Sequence, residues 1–386
     1  NLDISGAAGS AVNMSAVTNI AQDFIIRNQG TFNSNAVLTV GGTFNYTSNG
    51  ASTLANNITV GNFIFQNGQL NYSSRTITVN GNDGTWTFNG GGGVLTTDAS
   101  SRVIFTTGTN QRITGSAVTT FANLEIDNPN GVTLDGIDAN VSTSLTFTNG
   151  NLITGPNVVI CTNAAVAVNP ANGFVEGNLR KPVSTGTPTV TFEVGTGTTY
   201  SPAVLTFSGV TTAGNFTVSA LAGDHPDILG SNIEPNRSVN RHWSVTNNAT
   251  TFANLSSVVF NYGASDLDPL ADFSNFSVRR YDGVNWGNTT VGTRTATSTQ
   301  ITGEASANLP NGQIRFYQIG ELIPTSGTAN RLAGTQNWSN PATWIQNRTG
   351  AVQFTAGSTS VTGVGTLFTT ELAVGDVLML QTSPGV

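Results

Sequence analysis

Apolar and polar positions alternate along most of this chain. Ile58-Thr59-Val60, Phe63-Ile64-Phe65, Thr76-Ile77-Thr78-Val79, Thr85-Trp86-Thr87-Phe88, Val103-Ile104-Phe105, Leu124-Glu125-Ile126 and Leu145-Thr146-Phe147 are short, β-branched or aromatic runs. Asn, Gly, Asp or Pro bounds each of them. Period 2 puts the apolar set on one face and Thr or Asn on the other, so these segments predict strands separated by turns. Helical periodicity is nearly absent. Val17, Ile20, Ala21 and Phe24 follow a helical spacing, but Phe24-Ile25-Ile26 runs directly into Arg27-Asn28-Gln29-Gly30. Strand followed by turn is the preferred reading there.

Strand centres near 44, 64, 87, 104, 125 and 146 give steps of roughly 17 to 23 residues, the period of a solenoid whose units bury their apolar faces by stacking. Two frames recur. Phe65-Gln66-Asn67-Gly68-Gln69-Leu70 and Phe147-Thr148-Asn149-Gly150-Asn151-Leu152 share F-x-N-G-x-L, with Asn-Gly suited to positive-φ corners. Val40 to Tyr46 and Val141 to Phe147 share an apolar frame of the form V-x3-[FL]-x-[FY]. Residues 1–175 therefore read as a β-solenoid, in the manner of a parallel β-helix, with a sandwich built on a long meander as the alternative.

The pattern changes after Gly173-Phe174-Val175-Glu176-Gly177-Asn178-Leu179. Acidic residues gather, and runs such as Val190–Val194, Ala203–Phe207, His242–Val245, Val258–Tyr262, Phe276–Tyr281 and Ile314–Ile319 suggest a β-sandwich, Ig-like, over residues 176–323. Residues 324–386 read as a partial β-rich module or a linker to a further one. The expected class is all-β throughout.

Composition narrows the function. The chain has 386 residues, with 14 Lys+Arg against 21 Asp+Glu for a net charge of −7. Charged residues are only 9%, which leaves no cationic footprint for nucleic acid. Hydrophobic residues are 38%, too many for a charged disordered tail, and no apolar run is long enough for a membrane-spanning helix. The one cysteine, Cys161, excludes an internal disulfide, and its place in Val158-Val159-Ile160-Cys161 predicts a buried side chain. The one lysine is Lys181. The start at Asn1 reads as a processed product or a fragment.

Several short segments resemble the repeats of large secreted surface proteins of Bacteroidota. They are Phe121-Ala122-Asn123-Leu124-Glu125-Ile126, Gly131-Val132-Thr133-Leu134 and Leu145 to Leu152, then Gly173 to Leu179, Phe192-Glu193-Val194-Gly195 and Tyr200-Ser201-Pro202. Arg241-His242-Trp243-Ser244-Val245, Arg279 to Trp286 and Asn337-Trp338-Ser339-Asn340-Pro341-Ala342-Thr343-Trp344 are similar to segments that close such repeats or open the next module. The resemblance implies an adhesin or appendage component, extracellular or at the cell surface, exported by the type IX system. No sorting domain of that system is seen at the C-terminus.

Candidate chemistry is sparse. Glu125, Asp127, Asp135 and Asp138 are the carboxylates a β-helix glycosidase or lyase would recruit. Turn aspartates more commonly cap their own backbone, and Asp135 and Asp138 sit in Leu134-Asp135-Gly136-Ile137-Asp138. His225 and His242 lack metal-type spacing. Gly90 to Gly93 lack the lysine and helix of a phosphate cradle. Asp266-Leu267-Asp268-Pro269 with Asp272 could supply oxygen ligands to calcium, though without the Gly and Glu of an EF-hand, and a solvated turn is the plainer reading. The sequons at Asn45 and Asn288 carry little meaning in so Asn- and Thr-rich a chain. No residue is singled out as catalytic, and no other cofactor is expected.

The leading expectation is a non-enzymatic, self-associating structural segment of a surface adhesin or appendage, acting as a stiff rod, with a cell-surface or glycan target. Two alternatives are a glycan-binding or polysaccharide-processing β-helix protein and a phage tail fibre or spike module. The Thr355–Gly363 stretch would suit the latter.

Overall fold

The structure, a computed structural model, describes residues 1–7 and 11–323, together with the backbone of Ala351–Phe354 and Val361–Val364, which pair antiparallel. Most of the proposed third module, including Asn337 to Trp344 and Val377 to Leu380, lies outside the described residues.

The first half is a β-solenoid with three strands to a turn. One side is built from Leu2–Gly6, Phe24–Asn28, the second part of Leu38–Ser48, the second part of Ile58–Phe65, Thr85–Phe88, Arg112–Gly115 and Val132–Asp135, each paired parallel with the next. It continues through Leu152, Val175 and Val194. A second side stacks Thr18, Leu38, Ile58, Ile77, Val103, Leu124, Leu145 and Val168 in register. The third begins as the five strands Ala11–Met14, Thr31–Ser34, Ala51–Leu54, Gln69–Asn71 and Val94–Thr96. In chain order its place is then taken by the stack of Phe121, Val141 and Cys161.

Alternation explains this arrangement. On the second side Leu38, Val40, Ile58, Val60, Ile77, Val79, Val103 and Phe105 are buried. The residues between them, Thr39, Thr59, Thr78 and Ile104, stack outward in one column that goes on to Glu125 and Thr146. Identical register turn after turn places like on like, so the interior becomes aromatic columns. Phe44, Phe63 and Trp86 stack with centroids 5.5 and 4.1 Å apart, and Tyr46, Phe65 and Phe88 form a neighbouring column at 5.4 and 5.8 Å. Offset stacking adds to the burial of each ring.

Corners need polar satisfaction as well as turning. Gln111, buried, donates its amide to the carbonyls of Val79, Gly81 and Thr106 at 3.1, 3.1 and 2.7 Å and accepts from Asn128 Nδ2 at 3.0 Å. A buried carbonyl without such a donor would cost about 1–3 kcal/mol.

The strand centres expected from sequence mix two sides. Asn45, Ile64 and Thr87 are partners on the first side, whereas Ile104, Glu125 and Thr146 are partners on the second. The shortest step, from 87 to 104, thus crosses between sides within one turn. The two F-x-N-G-x-L frames also occupy different corners. Phe65 to Leu70 joins the first side to the third, and Phe147 to Leu152 joins the second to the first. What they share is local: Gly68 and Gly150 have φ of 74° and 81°, and a Cβ on either would overlap a carbonyl oxygen of the turn below.

Strand Val175–Val183 changes the pairing mode. Asn178 to Arg180 run parallel to Val158 to Ile160, while Leu179 to Val183 run antiparallel to Val218 to Gly214. From here the pairing is antiparallel through Gly214–Ala222, Ile233–Asn248, Ile314–Leu322 and Phe276–Tyr281. A separate sheet orders Thr189–Phe192, Ala203–Ser208, Asn254–Asn261, Ser298–Ala305 and Thr290–Thr295. Rings bridge the two: Phe260 lies 5.0 Å from Trp243 and 5.1 Å from Tyr317, and Phe207 lies 5.0 Å from Phe216. Among the described residues there is no α-helix, only short 3-10 turns, and no helix long and apolar enough to cross a membrane.

Candidate functional site

Glu125 and Asp127 share the outward face of one strand, two residues apart, whereas Asp135 and Asp138 lie elsewhere on the turn. Glu125, in the outward column, pairs with Arg102 at 3.1 Å and accepts from Thr148 Oγ1 at 2.6 Å. Asp127 follows on the same strand. Asp135 lies on a different side, 3.5 Å from Arg112. Asp138 accepts the backbone N–H of Val158 at 2.8 Å, tying one turn to the next. Each partner is supplied by an adjacent turn or by the same column. Gly90 to Gly93 form the corner between Thr85–Phe88 and Val94–Thr96.

Asp266, Asp268 and Asp272 have three different sets of partners. Asp266 is buried and takes both ends of the Arg241 guanidinium, Nε–Oδ2 at 2.9 Å and Nη2–Oδ1 at 3.0 Å, while also accepting from Gly263 N. Asp268 accepts from Ser238 N at 2.7 Å and Asn240 Nδ2 at 2.8 Å. Asp272 caps the following 3-10 turn through Ser274 N and Oγ at 3.0 and 2.7 Å and accepts from Asn275 Nδ2. Among the described residues no group of three or more His, Cys, Asp or Glu side chains is arranged to hold a metal ion.

A cluster of titratable groups that the spacing along the chain does not reveal lies around the two histidines. His225 and His242, 17 positions apart, meet with ring centroids 5.2 Å apart. The antiparallel register sets Leu221 opposite His242, and the turn after Ala222 folds His225 back over its neighbour. Tyr281, Trp286 and Phe316 complete the enclosure of His225 at 4.7, 5.1 and 5.0 Å. His225 Nδ1 accepts from Asp227 N at 3.1 Å, and His242 Nδ1 lies 2.9 Å from the Gly223 carbonyl, so in their neutral forms the two rings hold opposite tautomers. Burial lowers the pKa of both; Asp227 opposes this at His225. Beside them Asp224 accepts from Ser238 Oγ at 2.5 Å and Gln318 Nε2 at 3.1 Å, and burial raises its pKa. Only knowledge of the strand register could have joined these residues.

The one lysine and the one cysteine also lie near each other electrostatically. Lys181 Nζ donates to Glu193 at 2.8 Å and to the Thr191 carbonyl at 2.9 Å. Burial raises the Glu193 carboxyl against the pull of that ammonium. Cys161 is buried as expected, and burial pushes its thiol up to about 12. A neutral thiol of this kind is a packing group, not a nucleophile.

No family model, curated protein or solved structure matches this chain.

Proposed function

We propose that this chain is a non-enzymatic structural segment of a bacterial cell-surface adhesin or extracellular appendage, in which the solenoid is a stiff rod for attachment and assembly. The observation that carries this reading is the unbroken first side of the solenoid. Nine successive parallel pairings link Leu2 to Val194, and at roughly 4.8 Å per step they make a column about 43 Å long. Bending such a column stretches backbone hydrogen bonds and parts the stacked aromatic rings inside it.

We further infer that residues 176–323 form a β-sandwich of Ig-like kind. The ring contacts of Phe260 with Trp243 and Tyr317 across two antiparallel sheets support it. Extracellular placement, type IX export and self-association belong to the same proposal and rest on the sequence resemblance and the low charge.

Light scattering with negative-stain imaging tests the reading. Elongated particles that join end to end or side by side support it. A compact monomer of about the calculated mass would sink the assembly claim.

A further inference from the structure

The corners between the second and first sides line up as an open trench parallel to the solenoid axis. Its floor is made by Asn130 and Gly131, then Asn149 to Asn151, then Asn172 and Gly173, on three consecutive turns, and it encloses about 610 Å³. A further hollow of about 340 Å³ shares Asn130 and Gly131 and prolongs it past Arg112 and Asp135. At the other end stands the hairpin of Val194–Thr196 and Thr199–Tyr200. Asn151 Nδ2 fastens that hairpin to the floor by donating to the Gly197 carbonyl at 2.8 Å, and it also donates to Glu176 at 3.0 Å.

The lining has a definite chemistry. Tyr200 is 39% exposed, and its ring stacks on buried Phe174 with centroids 5.9 Å apart and planes 29° from parallel. The support is rigid and the ring remains accessible. Among the described residues no hydrogen bond occupies the exposed Asn149 side chain, which offers one donor group and one acceptor. Arg112 is already paired with Asp135, and Glu176 adds a negative charge. A polyanion therefore meets no unpaired cation here, and an apolar ligand meets mostly amides and glycine backbone.

We propose that this trench binds a neutral polysaccharide lying along the solenoid axis, with Tyr200 on Phe174 as the stacking platform and Asn149 as the hydroxyl partner. Successive turns roughly 4.8 Å apart repeat the amide corners at an even spacing, which suits a linear polymer of neutral sugars. The aromatic face takes the C–H side of one sugar ring, and the Asn149 amide exchanges hydrogen bonds with its hydroxyls.

Affinity electrophoresis and calorimetry of the intact chain test this against soluble β-glucan, α-glucan, xylan and galactomannan, with alginate as the anionic comparison. At least one neutral polymer is expected to bind and alginate is not. Tyr200→Ala is expected to weaken binding about tenfold or more, and Tyr200→Phe to preserve it. If Tyr200→Ala melts early, the exposed Asn149→Ala variant supplies the second reading, with a smaller loss expected. Failure of every neutral polymer to bind, preference for alginate, or unchanged affinity in both Tyr200→Ala and Asn149→Ala would overturn the proposal.

Discussion

Phe63 and Trp86 lie face to face on consecutive turns, ring centroids 4.1 Å apart and planes 13° from parallel. Trp86 also packs against Phe121 at 5.3 Å and donates its indole N–H to Thr119 Oγ1 at 3.0 Å. It thus joins the aromatic column to the part of the solenoid where the third side changes strands. Trp86→Ala should destabilise the chain by about 3–5 kcal/mol through the cavity it leaves. Trp86→Phe should cost less, since the stack survives and only the hydrogen bond and part of the volume are lost. Urea unfolding followed by circular dichroism checks both, and equal midpoints for the wild type and Trp86→Ala would refute the column's role.

Two glycines with almost the same backbone separate conformational strain from close packing. Gly150 and Gly136 have φ of 81° and 75°, but a Cβ at Gly150 overlaps the Asn128 carbonyl oxygen, whereas one at Gly136 meets nothing within 4 Å. Gly136→Ala should cost about 1–2 kcal/mol for the left-handed conformation alone. Gly150→Ala should cost about 1–3 kcal/mol more, because the turn below has to move. Parallel thermal melts of the two variants measure the difference, and equal losses would show that the corners tolerate a wider turn spacing.

The histidine pair gives stability a pH dependence of known sign. Burial holds both folded-state pKa values below the usual histidine value, so the unfolded chain binds more protons as pH falls through about 6.5. That part of the stability is present at neutral pH and is lost on acidification toward the depressed folded values. Asp224, Glu193 and Glu304 act in the opposite direction, because burial raises their folded pKa values and acid relieves the buried charge. The wild type is therefore best compared with a His225→Gln, His242→Gln double variant. Urea midpoints at pH 7.5 and 5.0 should fall more steeply in the wild type, and identical slopes would refute the assignment.

Arg241 and Asp266 form a buried, doubly hydrogen-bonded ion pair. Asp266→Ala should cost about 3–5 kcal/mol because it leaves the guanidinium buried without its counter-charge. Replacing both residues by apolar ones of similar size should restore most of that loss, a coupling that a double-mutant cycle reads directly. With Asp266, Asp268 and Asp272 held by separate donors, neither millimolar calcium nor EDTA should shift the melting temperature of the wild type. A calcium-dependent rise would show that the loops rearrange to bind the ion.

Much of the solenoid was legible because alternation at Leu38-Thr39-Val40 or Ile77-Thr78-Val79 reports burial directly. The choice of strand over helix near Val17 also agrees with the structure, which has strands at Thr18–Ile20 and Phe24–Asn28. The number of sides was not legible. Period 2 says which way a residue points relative to its own strand, but Thr87 and Ile104 look alike whether they belong to one side or two. Asn-Gly misled for a related reason, since Gly68 and Gly150 answer the same local demand at different corners. The histidine cluster and the groove were hidden because long-range register makes them: His225 meets His242 across a strand pairing, and Tyr200 reaches Phe174 only once the hairpin folds onto the last turns.

Strand Val175–Val183, parallel to one neighbour and antiparallel to the other, has a consequence for folding. A parallel ladder accepts another turn of its own kind wherever a bare edge remains, which makes solenoids prone to templating foreign strands. Here the edge after Val158 to Ile160 is followed by a strand whose other side is already committed to Gly214–Ala222. Addition to that edge is thereby blocked, and the two pairing modes are fused through a single run of backbone. Their unfolding should be one event, with amide exchange at Leu179, Arg180, Lys181 and Val183 slowing to the rate of the solenoid core.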